Sequence, residues 1–293
     1  MDVIKGEVFG LSGESGCGKT VIAHCILKLV APNGFIEGGK IMFEGKDVLY
    51  MSDEELRKYR WKDVAIIFQG AQSALNPLLL VNAHMVDTVL AHQKSSKNDI
   101  FERSGEFLKL LRLDPNLVLK MYPHELSGGM KQRSMSAMSL LLTPKLLILD
   151  EPTTALDMLT QRYLLKMLRD IHEETGITMF YITHDLTVMS EIVDRIGIMY
   201  LGNIVEIGKT KDIFYDPLHP YTEALINAIP SIVGDVIATP IPGPIPDPVN
   251  PPSGCNFHPR CPEATELCEK TKPELIEVEK GRLVACHKYS NPS

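Results

Sequence analysis

Glu7 to Leu11 is a short, mostly apolar run that leads into Gly13-Glu14-Ser15-Gly16-Cys17-Gly18-Lys19-Thr20 and then into a segment of helical periodicity. No other feature of the chain restricts its fold so tightly. The glycines let successive backbone N–H groups turn toward one anion, and the following helix adds the partial positive charge of its N-terminus. A buried strand must feed such a loop, which predicts an α/β domain with a mostly parallel sheet. The spacing places Lys19 to bridge the β- and γ-phosphates of a nucleotide, and the Thr20 hydroxyl to hold Mg2+. A glycine-rich turn beside a surface lysine is the bland alternative, and the flanking strand and helix count against it.

The helix is predicted over Lys19 to Val30, with Ile22, Cys25, Ile26 and Leu29 on its inner face and Pro32-Asn33-Gly34 ending it. Ser52-Asp53-Glu54-Glu55 reads as a capping box. Val64 to Phe68 predicts a strand ending at Gln69, and beyond it strand signals vanish, which predicts an inserted helical subdomain over about 71–142. Leu146 to Leu149 is a strand ending in Asp150 and Glu151. Then come a helix from Gln161 to His172 with Leu164, Leu165, Leu168 and Ile171 inward, and a strand from Ile177 to Thr183. Ile196 to Leu201 and Ile204 to Ile207 form a hairpin about Gly202-Asn203. This core is expected over 1–229. The eight prolines from Pro230 to Pro252 predict an extended linker over 230–252, before a small cysteine-rich module over 253–293.

Asp150 ends its strand at the edge where ligands of α/β sheets bind, which suits a Mg2+ ligand acting through water. Glu151, the next residue, points elsewhere and is the candidate general base. An acidic pair in this position is otherwise a helix N-cap. Ser127, Gly128 and Gly129 open a helix and so make a second anion-binding N-terminus, or else a flexible turn. Gln69 and His184, taken singly, read as polar strand-end residues.

At 293 residues and 44% apolar, the chain has material for a core of roughly 200 residues and an appendage. A net charge of −7 argues against a surface that coats nucleic acid. No apolar run reaches the length of about 18 residues that a spanning helix needs, since Thr143-Pro144-Lys145 breaks the best stretch, Met135 to Leu149. The N-terminus lacks a basic flank followed by an apolar signal segment. A soluble or peripheral protein is expected, meeting a membrane through partners. Two of the six cysteines are isolated and four lie together near the C-terminus, unlike a secreted disulfide framework.

In this order, Gly13 to Thr20, Leu126-Ser127-Gly128-Gly129-Met130 and Leu146 to Glu151 resemble the nucleotide motifs of ABC transporter ATP-binding subunits, and the resemblance runs through essentially the whole chain. It implies a P-loop ABC ATPase core binding ATP and Mg2+, with Gly13, Glu14, Ser15, Gly16, Cys17, Gly18, Lys19 and Thr20 around the phosphates. Ile66-Ile67-Phe68-Gln69 resembles the Q-loop, which implies that Gln69 senses Mg2+ and the membrane subunits. Pro152 to Asp157 is similar to the D-loop, which adds Asp157 to the nucleotide site. Tyr181 to Asp185 is similar to the switch region, which places His184 on the γ-phosphate. The resemblance further implies that Ser127, Gly128 and Gly129 close over ATP held by a second subunit.

Gln72 to Pro77, Tyr122-Pro123-His124-Glu125, Met130 with Lys131-Gln132-Arg133, and Asp216 to Leu225 resemble the dipeptide and oligopeptide importer branch. The implied protein is a peripheral ATPase on the cytoplasmic face of the cell membrane. It would pair with a related ATP-binding subunit or with its own copy, and serve two permease subunits and an extracytoplasmic binding protein, with no nucleic acid. Relatives of this branch also carry oligosaccharides or nickel, so the cargo stays open. The rival class, a soluble ABC-type ATPase acting on DNA or ribosomes, calls for coiled-coil insertions or paired cassettes, which the sequence lacks.

Cys255, Cys261, Cys268 and Cys286 follow C-x5-C-x6-C-x17-C, unlike the paired spacing of zinc ribbons or the spacings of ferredoxins. Importers with a similar tail imply a four-cysteine 4Fe-4S site. Zn2+, with His258 or His287 as substitute ligands, and free thiols or disulfides stay open, because a segment with so little apolar core needs some staple. In resembling subunits the phosphate loop lies further into the chain, after further strands and an aromatic that stacks on adenine. Phe9 reads as core rather than as that platform, so weaker nucleotide affinity and an exposed sheet edge are expected.

Overall fold

The computed structural model describes residues 1–290 except 32, 69, 71–73, 155–156 and 230–239. The chain opens with β1 (Val8–Ser12) and α1 (Lys19–Ile26), followed by a small antiparallel pair, β2 (Met42–Phe43) and β3 (Lys46–Asp47). Next come α2 (Asp53–Tyr59), β4 (Val64–Ile67), α3 (Val81–Leu90), α4 (Lys97–Leu110), α5 (Pro115–Val118), α6 (Gly128–Leu140) and β5 (Leu146–Asp150). Then α7 (Met158–Thr175), β6 (Thr178–Ile182), α8 (Leu186–Ile192), β7 (Arg195–Tyr200), β8 (Asn203–Lys209), α9 (Thr210–Tyr215) and α10 (Pro220–Asn227) follow. The C-terminal stretch holds α11 (Glu266–Lys270), β9 (Ile276–Glu279) and β10 (Arg282–Val284). None of these helices is long and apolar enough to cross a membrane.

Two compact units result, Met1–Gly6 with Val21–Phe180 and Glu7–Thr20 with Tyr181–Ser293. In the first, β4 and β5 pair in parallel with Val64 opposite Leu146 and Ile67 opposite Leu149, and β6 lies beyond β5. Leu147, Ile148 and Leu149 are fully buried, as a strand covered on both faces must be. The same core takes Leu164, Leu165, Leu168 and Ile171 of α7, the four residues that periodicity turns inward. In the second unit β1 pairs in parallel with β7, with Phe9 opposite Arg195, and Phe9 is wholly buried. β7 and β8 form the expected antiparallel hairpin, with Tyr200 opposite Asn203. β10 then pairs with β8, setting Val284 opposite Glu206, and β9 completes the edge. The α/β class with parallel core ladders and inserted helices is therefore realised.

The prediction for α1 needs correction. The helix stops at Ile26 rather than Val30, and the buried apolar side chains here are Ala23 and, just past the helix end, Leu27, rather than Ile22, Cys25, Ile26 and Leu29. The cause is distant in sequence. The Tyr59 hydroxyl donates to Ile26 O at 2.9 Å, and the Arg60 guanidinium donates to Leu27 O at 2.8 Å and Lys28 O at 2.7 Å. These donors satisfy carbonyls that a further helical turn would have used, and Lys28 turns into the left-handed region at φ +50°. By contrast the capping box at Ser52 forms as read, with Ser52 and Glu55 exchanging side-chain and backbone bonds.

Candidate functional site

In the unit holding β1, the strand delivers Ser12 into a loop whose shape depends on glycine. Gly13 has φ +153°, and a Cβ there would stand 2.0 Å from Met199 O, so no side chain fits without moving the β7 backbone. Gly16 and Gly18 are also in the positive-φ region, at 81° and 103°. Lys19 is buried, and its ammonium lies back along the loop, donating to Gly13 O at 2.8 Å and Glu14 O at 3.0 Å. Burial pushes the Cys17 thiol up, against the opposing pull of the Lys19 ammonium. The Gly202 N–H donates to Cys17 O at 3.0 Å, tying the β7–β8 turn to the loop.

Beside this loop, the Thr183 N–H donates to Leu11 O, so the chain after β6 emerges near the end of β1. His184 is exposed there. Asp185 is the local cap: its carboxylate accepts from the Thr187 and Val188 N–H groups and starts α8.

The other unit carries the acidic strand end. Asp150 is buried, and Glu151 takes a left-handed backbone at φ +47°, its carboxylate accepting from the Thr154 hydroxyl at 3.0 Å. For a non-glycine residue this conformation is costly. Asp157 caps α7, accepting from the Leu159 and Thr160 N–H groups at 3.0 Å and from the Thr160 hydroxyl at 2.7 Å. The Thr160 hydrogen bonds, side chain first, hold its carboxyl below the usual range. Ser127 caps α6, its hydroxyl accepting from the Met130 N–H at 3.3 Å, and Ser127 and Gly128 face solvent. A Cβ on Gly129 would lie 3.5 Å from the Thr160 methyl, so the start of α6 packs on the first turn of α7 and beside Asp157. Arg133 donates to Gly129 O at 3.2 Å and to Leu111 O and Arg112 O at 3.3 Å, bracing that start from α4. Sequence reading assigns Arg133 no such role. Gln69, with Gln72 and Ser73 of the following motif and Ala155 and Leu156 of the D-loop, lies outside the described residues.

The structure adds side chains that motif reading left without a task, all in the unit of the phosphate loop. The Tyr221 hydroxyl accepts from the Glu14 N–H at 2.9 Å. The Arg260 guanidinium grips the Glu14 carboxylate with two bonds, 2.7 and 3.0 Å. Tyr200, Tyr221 and Phe257 form a buried cluster with ring centroids 4.6 to 5.3 Å apart. The Asp216 to Leu225 segment holds this cluster: Glu206, fully buried, accepts from the Leu218 and His219 N–H groups at 2.9 Å, and His219 Nδ1 accepts from the Tyr221 N–H at 3.0 Å. Burial pushes the His219 imidazole down to about 4.

The cysteine tail departs from expectation. Gly254, at φ +66°, lets the chain pass where a Cβ would stand 2.3 Å from Cys268 O, and the Cys255 N–H donates to that oxygen at 2.8 Å. Burial first, and neighbouring thiols second, push Cys261 up to about 11 and raise Cys286. Yet among the described residues no three His, Cys, Asp or Glu side chains are gathered about a point where one ion would sit. Cys255, Cys261, Cys268 and Cys286 are four half-buried free thiols, and neither a 4Fe-4S nor a Zn2+ ligand set is formed. His258 and His287 each place a ring nitrogen on a backbone carbonyl, Cys255 O at 3.0 Å and Thr271 O at 2.8 Å, rather than toward the thiols.

Comparison with known proteins gives two family matches, residues 1–154 to the ABC transporter model and residues 205–268 to the oligopeptide/dipeptide transporter C-terminal region. The chain is 46% identical over 291 residues to the dipeptide transport ATP-binding protein DppD of Caldanaerobacter subterraneus subsp. tengcongensis, covering 99% of this chain and 89% of that protein. It is 42% identical over 290 residues to the oligopeptide transport ATP-binding protein OppD of Escherichia coli (strain K12), covering 97% and 84%. Among solved structures, the dimeric structure of MJ0796, a bacterial ABC transporter cassette, superposes with a TM-score of 0.63 at 27% identity, covering 72% of this chain and 88% of that one.

Proposed function

The chain belongs to the ABC transporter ATP-binding family, and from that premise we propose that it hydrolyses ATP to energise import of dipeptides or oligopeptides through a membrane permease. The observation that carries the peptide assignment is the match of residues 205–268 to the oligopeptide/dipeptide transporter C-terminal region, a segment that follows the ATPase motifs. In the proposed reaction the N–H groups of Gly13 to Thr20 surround the phosphates. Lys19 leaves Gly13 O and Glu14 O to meet the β- and γ-phosphate oxygens. Thr20, Asp150 and Gln69 would hold Mg2+, which would supply positive charge to offset that of the triphosphate. Glu151 takes a proton from the water whose oxygen bonds to the γ-phosphorus, and the β–γ bridging oxygen leaves with ADP. His184 orients that water and phosphate, and Asp157 of the D-loop belongs to the nucleotide site.

Ser127, Gly128 and Gly129 act on ATP held by a second subunit. The exposed position of Ser127 and Gly128 at the start of α6 supports this, as does the dimeric cassette among the similar structures. A related but different subunit is the preferred partner, with two permease subunits and an extracytoplasmic binding protein, the whole engaged from the cytoplasmic face. The domain reading is 1–229 for the ATPase, with its helical subdomain at about 71–142, then 230–252 as linker and 253–293 as the cysteine module. A 4Fe-4S cluster on Cys255, Cys261, Cys268 and Cys286, or Zn2+ in its place, is a separate proposal that rests on the likeness of the tail to that of peptide importers, and it would require the four thiols to draw together from their described positions. No step of hydrolysis is routed through it.

The test is reconstitution of the complete transporter in vesicles with labelled dipeptides, oligosaccharides and nickel offered separately. ATP-dependent uptake of peptide alone is the expected result. Glu151→Gln lowers ATP turnover by at least about a hundredfold while leaving ATP binding intact. Uptake of nickel or sugar without peptide would overturn the cargo assignment, and undiminished turnover would remove Glu151 from the base role.

A further inference from the structure

A loop built to hold a triphosphate is a poor place for a carboxylate, yet Glu14 is the second residue of this one. We propose that Arg260 is a positioning residue for ATP, which draws the Glu14 side chain away from the phosphates and cancels its charge. The inference rests on reading Gly13 to Thr20 as the phosphate cradle.

The geometry is complete at the guanidinium. Its two terminal nitrogens take the two carboxylate oxygens at 2.7 and 3.0 Å, and one of them reaches the Tyr200 hydroxyl at 3.3 Å. Nε donates to Pro242 O at 2.8 Å. The group lies 5.8 and 6.0 Å from the ring centroids of Tyr200 and Phe257. The Arg260 side chain is 3% exposed and that of Glu14 18%. A two-pronged bond between a planar fork and a carboxylate fixes direction as well as distance, which a single ammonium does not. At the other end of the same residue, the Glu14 N–H is held by the Tyr221 hydroxyl. Backbone and side chain of Glu14 are thus both anchored in the C-terminal part of the chain, 207 and 246 residues away. The loop is pre-shaped, and its one carboxylate is turned into a neutral pair before the nucleotide arrives.

The consequence is a charge effect that can be separated from bracing. Arg260→Gln leaves the carboxylate unpaired within Coulomb reach of the triphosphate, and about tenfold weaker ATP binding is expected. The double variant Glu14→Gln/Arg260→Gln removes both charges and keeps the shapes, so its affinity returns to within about threefold of the starting protein. Binding of adenosine, which carries no phosphate, is unchanged in both. Isothermal titration of the full-length chain with ATP and with adenosine, alongside thermal melting, makes the measurement. Unchanged ATP affinity in Arg260→Gln, or a double variant as weak as the single one, overturns the proposal while leaving the ATP site intact. Failure of the unaltered protein to bind ATP at all would remove the cradle reading itself, and this proposal with it.

Discussion

Acid should destabilise this protein through His219 before most carboxylates begin to titrate. The imidazole is 2% exposed, and its Nδ1 is committed as acceptor for the Tyr221 N–H. Burial pushes its pKa from 6.5 down to about 4. Above pH 6.5 the ring is neutral in folded and unfolded chains alike, so its full contribution is present. Between pH 6.5 and 4 only the unfolded chain gains a proton, so stability falls with pH; below about 4 the loss levels off. That difference corresponds to about 2 kcal/mol by pH 5 and about 3 kcal/mol by pH 4. The Glu206 carboxylate on β8 faces the His219 N–H, and Arg282 on β10 pairs with Glu206 at 3.7 Å. His219→Asn separates their titration from that of the ring, because Asn Oδ1 supplies the same capping acceptor without a pKa in this range. The variant carries a constant penalty for the lost ring, and the pH slope is the readout. Urea unfolding at pH 7.5, 6 and 5 should show the unaltered chain losing about 2 kcal/mol more than His219→Asn over that interval. Parallel slopes would refute the reasoning.

Two further substitutions probe the other constellations. Gly13→Ala places a methyl 2.0 Å from Met199 O and abolishes ATP binding, whereas Gly16→Ala meets no atom within 4 Å and costs about 1 kcal/mol of backbone strain; nucleotide titration with circular dichroism compares them. Arg133→Ala strips one guanidinium from the carbonyls of Gly129, Leu111 and Arg112. It should cost about 1–2 kcal/mol of stability and lower steady-state ATP turnover of the assembled transporter, because Gly128 and Gly129 lose their brace; melting curves and a phosphate-release assay check both.

Local chemistry was readable where the partners are close in sequence. The Ser52–Glu55 box, the Gly202-Asn203 turn and the inward face of α7 each depend on residues a few positions apart. The end of α1 was not readable, because Tyr59 and Arg60 reach its carbonyls from 32 to 33 residues away. Glu14 belongs to the phosphate loop by its position in the motif, but nothing in the loop's spacing announces an arginine 246 residues downstream. Burial of Arg260 is the feature that calls for an acidic partner, because an arginine is seldom fully buried without one, and burial is visible only in the structure. The cysteines run in the opposite sense: the likeness of the tail to that of peptide importers implies a metal site, while among the described residues no three candidate ligands are gathered about one point.

The Asp216 to Leu225 segment looks in sequence like prolines punctuating the exit from a core, and in the structure it supports the phosphate loop. Pro220 occupies the first turn of α10, where its missing N–H costs nothing, and His219 supplies the cap that the helix needs. Leu218 and His219 direct their N–H groups at a carboxylate on β8, whose charge is met by Arg282, itself bonded to the Asp216 carboxylate at 2.9 Å. A buried carboxylate is tolerated only when paired and hydrogen-bonded in this way, so the turn has one stable arrangement. That arrangement sets the Tyr221 ring against both Tyr200 and Phe257 and its hydroxyl at the Glu14 N–H. The spacing His219-Pro220-Tyr221 therefore follows from two requirements at once, a helix start and a fixed hydroxyl. A serine in place of His219 would satisfy the first, but it would leave the ring's volume empty under Phe257, whose centroid lies 6.0 Å from that of His219. Both requirements bear on the loop that must grip ATP, which is why this segment belongs with the ATP site although it lies some 200 residues beyond it.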